Sequence, residues 1–363
     1  MGKSKDLATL ATTLNNGVNL QPNLIINGDM SVDQRNSGSL VTVSNSTDTF
    51  CPDRFRFTEN HSGTFTIQQV EDAPDDLEYS SKITVTGTDT SLAATEFARI
   101  LQGIEGKNIS HLNWGSSSAK TCTLTFYVKS SVTGKYYISI NNNATNRNML
   151  KAYTINTADT WEKKTIKIIG DTSGTWLTTN AAGIYIMWTL GTGSTYQSST
   201  VDAYQSGFYM GASDQTNLAA TSGATWQLTG VSFVVGDTAP VTHPYESYDE
   251  NLARCQRYYW NYLTLNNQYQ TMGNGSLYTA SSAYINFDFP VQMRAEPTLG
   301  AAASYIVFIS NGGSGAASSV AGDYGSVNNK RVNLVLASSL TSGHAGFGFS
   351  QSTSDRLYFD AEL

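Results

Sequence analysis

The segment 226–260, WQLTGVSFVVGDTAPVTHPYESYDENLARCQRYYW, constrains the fold most, because it joins two incompatible periodicities through a run of turn residues. Trp226, Leu228, Val231, Phe233 and Val235 form a strand-like apolar run. Residues 236–244 read as a turn-rich connector, and 246–259 present Leu252, Cys255 and Tyr259 at helical spacing. The chain is therefore expected to be modular, with one domain ending near Val235 and another beginning near Tyr258. A length of 363 residues allows each half its own core.

Charged residues make up only 14% of the chain, and its 20 Tyr outnumber its 14 Phe, so the expected surface is polar but mostly uncharged. A net charge of −7 argues against nucleic acid as a partner, since that affinity rests on clustered Lys and Arg releasing counterions. Residues 1–20 hold no continuous apolar run of signal-peptide length. No segment approaches the roughly 20 apolar residues that span a bilayer, so membrane insertion is not expected. Cys51, Cys122 and Cys255 are dispersed, without a disulfide framework or paired metal-ligand spacing, and read as buried reduced thiols.

Residues 1–22 read as an N-terminal tail, with a marginal helix over 6–14 that aligns Leu7, Leu10 and Leu14 on one face. From Asn23 onward, runs of β-branched and aromatic residues predict strands over 24–26, 55–57, 64–70, 82–86, 121–129, 135–140, 165–169, 183–190 and 227–235. Turn chemistry separates them, as at 130–134 and 141–146. The spacing predicts an all-β protein with an antiparallel jelly-roll sandwich over 23–236. A linker and short helix follow over 237–257.

Several ordered motifs in this region carry a family likeness. NLIINGDMSVDQRNSG is followed by CPDRFRF, FARILQGIEGKNISHLNWGSSSAKTCTLTFYVKSSVTGKYYISI, TWEKKTIKIIGDTSGTW and ATWQLTGVSFVVG. Together they resemble the carbohydrate-binding-module-like jelly roll of bacteriophage tail fibres and related virion appendages. HPYESYDENLARCQRYYW resembles the helix that those proteins place after the jelly roll, and FPVQMRAEPTL the opening of their C-terminal β domain. The resemblance implies a virion protein synthesised in the host cytoplasm and attached through residues 1–22 to a tail, adaptor or portal-proximal protein. It also implies a homotrimer, for which the amphipathic helix at 246–259 could pack about a threefold axis. Two function classes follow: a tail fibre that recognises host surface glycan during adsorption, and a structural neck or head appendage packed against other virion proteins. In related modules an Asn-x-x-x-Gly-Asp turn helps hold structural calcium, and Asn27-Gly28-Asp29 stands in a similar place. Here Thr229 and Gly230 stand where a second carboxylate is common, so Asp29 as a calcium ligand is short of anionic oxygen. The plainer expectation is an Asx turn at Asp29 and no cofactor.

The region 258–363 repeats the β pattern and is expected to form a C-terminal β-sandwich and receptor-binding tip. SAYINFDF alternates Ala283, Ile285, Phe287 and Phe289 against Ser282, Tyr284, Asn286 and Asp288, with further strands over 305–309, 332–336 and 356–359. Residues 310–330 are small and polar, and read as a long functional or mobile loop.

No catalytic constellation stands out. His61, His111, His243 and His344 lie far apart, with no zinc-protease, nucleophile-elbow or phosphate-loop motif. The cluster Glu71, Asp72, Asp75, Asp76 and Glu78 offers paired carboxylates but reads as a solvated turn, and the repeats of a glycan-degrading β-helical tailspike are absent. The expectation is a binding protein, not an enzyme. Aromatic platforms with amide and hydroxyl groups suit sugar recognition. The candidate glycan-binding residues are Tyr324, Asn328 and Asn329 in the C-terminal region, with Trp114 and Tyr196 in the jelly roll; Trp161, Trp188 and Trp226 read as core.

Overall fold

The computed structural model describes residues 22–74, 76–239, 243–244, 246–263, 270–302, 306–311, 313–350 and 356–363. The expected helix at 6–14, and the tail apart from Pro22, lie outside the described residues. The chain divides into two compact units, one ending at Tyr248 and taking in Leu363, the other spanning Asp249–Glu362.

The first unit contains β1 (Val41–Thr42), β2 (Thr49–Phe50), β3 (Arg56–Asn60), β4 (Thr64–Val70), β5 (Ser80–Gly87), β6 (Phe97–Glu105), β7 (Cys122–Ser130), β8 (Gly134–Asn142), β9 (Arg147–Ile155), β10 (Glu162–Ile168), β11 (Ala182–Thr192), β12 (Tyr204–Ser206) and β13 (Thr225–Val235). A short helix, α1 (Gly106–Ile109), follows β6. One sheet has the order β1-β4-β5-β13-β7-β10 and the other β12-β9-β8-β11-β6-β3-β2. The paired strands are antiparallel, giving the expected jelly-roll sandwich.

Alternation along the strands builds the core. In β11, Ile184, Ile186, Trp188 and Leu190 all point into the interior, where Trp188 meets the rings of Phe55 at 6.4 Å and Phe126 at 5.7 Å. Trp226 is also fully buried, as expected. Trp161 is not core: it is half-buried on the outer face, with Lys129 Nζ 5.1 Å above its ring. The acidic turn explains this placement, because Asp72 accepts hydrogen bonds from Trp161 Nε1, Lys129 Nζ and Gln227 Nε2. Asp75 lies outside the described residues.

The predicted strand at 24–26 is an irregular segment held to β13, with Leu24 N–H donating to the Phe233 carbonyl and Val231 N–H to the Gly28 carbonyl. A register shift in β13 between Thr229 and Ser232 accommodates it. A Cβ at Gly28 would lie 2.1 Å from the Val231 oxygen, so the approach requires glycine. All three cysteines are buried, and none is joined in a disulfide.

In the second unit, α2 (Tyr248–Gln256) is shorter than the helix expected over 246–259. Tyr259, expected on that helix, instead opens β14 (Tyr259–Leu263), because the aromatic run beyond Tyr258 gains a strand partner. The other strands are β15 (Thr271–Thr279), β16 (Ser282–Asp288), β17 (Thr298–Ala302), β18 (Ile306–Ser310), β19 (Gly313–Gly325), β20 (Asn329–Leu336), β21 (Ala345–Ser350) and β22 (Arg356–Asp360).

This unit is all-β, as expected, but its arrangement differs from two open sheets. Strands β15-β16-β20-β19-β18-β21 close into a barrel, accompanied by a three-stranded sheet β14-β22-β17. Closure leaves no free edge among the six strands. Ile285, Phe287, Phe308, Val332 and Leu334 fill a core shared with Leu357 and Phe359. The expected loop at 310–330 is therefore mostly strand. β19 pairs with β18 through Val307↔Ala316 and with β20 through Gly322↔Val332, so two-sided pairing overrides the poor strand preference of its Gly, Ser and Ala residues.

Candidate glycan-binding surfaces

The alternation of SAYINFDF determines which side chains reach the barrel exterior. With Ala283, Ile285 and Phe287 buried, β16 turns Tyr284, Asn286 and Asp288 outward. The next strand presents Asn329 and Arg331 on the same side, and β19 adds Asp323 and Tyr324 near its end. Tyr284, Asn286, Asp323, Tyr324 and Arg331 line an open groove of ≈ 870 Å³ together with Tyr278, Asn274 and Ser276 of β15, and Asp288 and Asn329 line an adjoining pocket of ≈ 550 Å³ that shares Asn286, Tyr324 and Arg331 with it.

Arg331 organises the groove. Its guanidinium lies 4.5 Å from the Tyr284 ring centroid and 5.0 Å from that of Tyr324, while Nε and Nη2 lie 2.8 and 2.6 Å from Asp323 Oδ2. Tyr278 meets Tyr284 with ring centroids 5.4 Å apart. The aromatic rings are not there to fill a core: Tyr324 is 78% exposed and Tyr278 70%. Lys330 Nζ, the other cation beside the groove, is 2.6 Å from Glu296 Oε1.

Of the candidates named from the sequence, Tyr324 and Asn329 share the flank of this surface lined also by Asp288 and Lys330. Asn328 is exposed in the adjoining turn, where its carbonyl accepts from Phe289 N–H, and does not line the groove. Tyr278, Tyr284 and Arg331 were missed, although the alternation had already separated Tyr284 from the apolar face.

The jelly-roll candidates fare differently. Trp114 is 7% exposed, packs edge-on against Trp176 at 4.8 Å and donates its indole N–H to the Lys120 carbonyl at 2.8 Å. It closes a corner of the core and presents no sugar platform. Tyr196 is half-buried, with edge-on contacts to Phe97 at 5.5 Å and Phe208 at 5.8 Å.

The outer face of the seven-stranded sheet is occupied by the chain itself. Tyr137, Ser139, Asn141, Asn148, Leu150 and Thr189 have the opposite parity to the core residues of β8, β9 and β11, yet all are buried. Ser139 Oγ and Asn148 Nδ2 donate to the Tyr209 carbonyl at 2.6 and 2.9 Å, and Thr189 Oγ1 donates to the Met210 carbonyl at 2.7 Å. Ala212 packs against Tyr137 and Leu150. Asp214 accepts from the Tyr137 hydroxyl and from Lys135 Nζ, both at 2.6 Å, and these bonds hold its carboxyl below the usual range.

At the proposed calcium position, Asp29 Oδ1 accepts from Ser31 Oγ at 3.1 Å, the local closure of an Asx turn. Asn27, at φ 59°, donates Nδ2 to the carbonyls of Val32 and Asp53 and accepts from Val32 N–H. Thr229 Oγ1 donates to the Tyr79 carbonyl at 2.6 Å. Among the described residues, no group of three or more His, Cys, Asp or Glu is placed to hold a metal.

No protein-family model matches the chain, and no curated protein matches it by sequence. Among solved structures, it is similar to the enzymatically active domain of a bacteriophage CBA120 tailspike protein, with 12% identity over 59% of this chain and 21% of that chain and a TM-score of 0.31. It is also similar to a family 61 carbohydrate-binding module in complex with β-1,4-galactotriose, at 11% identity over 59% and 99% of the two chains, TM-score 0.30. A family 11 carbohydrate-binding module from Clostridium thermocellum matches at 10% identity over 54% and 95%, TM-score 0.29.

Proposed function

We propose that this chain is a bacteriophage tail-fibre protein that recognises host-surface glycan through the exterior of its C-terminal barrel, without cleaving it. The carrying observation is the exposed Tyr324 ring beside Arg331, Tyr284 and Asp323, a flat apolar face bordered by fixed hydrogen-bonding groups. Sugars offer C–H faces for such a ring and hydroxyls for such groups. The motifs resembling virion appendages support placement on the virion, with attachment through residues 1–22 and trimeric assembly as parts of the same reading. Several copies on one particle convert weak individual contacts into avid adsorption through effective concentration. Asp323, tied by two nitrogens of Arg331, serves as an acceptor that orients the guanidinium.

The test uses the full chain on immobilised bacterial surface polysaccharides. Binding should be lost when periodate cleaves the glycan diols and should fall about tenfold, the equivalent of roughly 1.4 kcal/mol, on Tyr324→Ala. The variant should retain its near-ultraviolet dichroism. Binding that survives Tyr324→Ala unchanged would remove the barrel groove from the recognition surface.

A further inference from the structure

The groove is a row as well as a cluster. Tyr278, Tyr284, Arg331 and Tyr324 come from four successive strands in the barrel order, β15-β16-β20-β19, with spacings of 5.4, 4.5 and 5.0 Å between consecutive members. Three strand spacings of about 4.8 Å give the row a length of about 14 Å across the sheet. Both ends are open, since Tyr278 and Tyr324 are its most exposed members. A pocket selective for one terminal sugar would be walled; this surface is a track.

Its charge is also defined. Arg331, the cation among the described residues lining the groove, is held by Asp323, and Lys330 of the adjoining pocket by Glu296, so both are already paired. Asp288, on the same flank, adds a further negative charge. Among the described residues lining the groove, an anionic sugar would meet no free cation, and the adjoining pocket places the carboxylate of Asp288 beside it. The remaining polar contacts, Asn274, Asn286 and Ser276, are neutral amides and a hydroxyl suited to sugar hydroxyls.

We infer that the groove takes a linear, uncharged oligosaccharide lying across the strands, with Tyr324 and Tyr278 stacking on different sugars and Arg331 bridging the middle. This rests on the glycan-binding reading above and adds ligand charge, length and direction.

The experiment immobilises neutral and acidic bacterial-surface oligosaccharides of one to six sugars and measures full-chain binding at low and high sodium chloride. Neutral chains of three or more sugars should bind best, and their affinity should change less than about twofold with salt because no net ion pairing is formed. Tyr278→Ala should remove most of the gain with chain length while leaving binding of the shortest bound chains within about twofold, since a distant end of the track contributes separately. Preference for acidic glycans, strong loss with salt, or affinity indifferent to length would overturn this inference while leaving glycan recognition intact. An array on which no glycan binds through Tyr324 would overturn both. Because Tyr278 and Tyr324 are exposed, a folding failure is not expected; Tyr278→Phe, which keeps the ring, should restore the length dependence.

Discussion

Asp53→Asn tests whether the sandwich carries a buried acid at the cost of stability near neutral pH. Asp53 is fully buried beside the Asn27 hub, with Gln34 Nε2 at 2.6 Å and Arg35 Nη1 at 3.4 Å as its partners. Burial outweighs those partners and pushes its carboxyl up to about 6. The ordinary value is about 3.9, so the folded state holds this proton more tightly than the unfolded chain does. The group therefore contributes most below about pH 4, and that contribution is lost as pH rises through about 6. A shift of about two units corresponds to roughly 3 kcal/mol between the two limits. Asp33, also raised by burial, acts in the same direction, whereas the lowered carboxyls of Glu162, Asp72 and Asp214 act in the opposite one, so the difference between wild type and variant carries the test. The assay is urea denaturation of wild type and Asp53→Asn at intervals from pH 3.5 to 7.5, followed by tryptophan fluorescence. Five of the six tryptophans, all but Trp260, lie in the sandwich, so the signal reports chiefly on that unit. Asparagine cannot ionise, so the variant should gain on wild type by about 3 kcal/mol between the acid and neutral ends. A stability difference that stays constant across this range would refute the reasoning.

Two further substitutions separate structure from recognition. Trp114→Ala removes a ring packed against Trp176, Tyr204 and Phe233, and should destabilise the sandwich by about 3–5 kcal/mol in urea denaturation while glycan affinity of the folded protein stays unchanged. Asn148→Ala strips donors from Ser139 Oγ, Asn141 Oδ1 and the Tyr209 carbonyl in a buried site, and should cost about 2–4 kcal/mol. Amide exchange in 207–214 should accelerate more than in β11, and equal exchange in both would count against a local strap.

The sequence revealed the sandwich where strands alternate β-branched or aromatic residues with polar ones. The predicted strand over 64–70 coincides with β4, and the runs at 183–190 and 227–235 fall within β11 and β13. It concealed strands whose residues are small. GSGAASSVAGDYG lacks side-chain volume or alternation to mark a strand, and the pairing that makes it one is supplied by its neighbours β18 and β20. Tyr324 was singled out as a loop aromatic and proves to be a strand aromatic on an exposed face, so the residue was legible and its setting was not. Arg331 was illegible for a different reason: local sequence does not state that it lies between two tyrosines from neighbouring strands. Trp114 was misread because HLNWGSSS has turn composition, yet the turn folds inward and meets Trp176 from a distant segment.

The two units treat the outer face of a sheet in opposite ways. In the sandwich, Ser139, Asn148 and Thr189 on the outward side of β8, β9 and β11 are neutral hydrogen-bonding groups that already donate to the carbonyls of Tyr209 and Met210. A ligand reaching that face would have to replace these buried bonds, and each donor left unpaired would cost about 1–3 kcal/mol. In the barrel, the outward groups remain open: Tyr278 and Tyr324 are exposed, and Arg331 is held in place by Asp323 without being covered. Binding there need only remove water from preformed aromatic surface. That difference in what must be displaced, rather than a difference in aromatic content, is the ground on which we propose the barrel groove, and not the sandwich, for weak, repeated contact with a surface glycan.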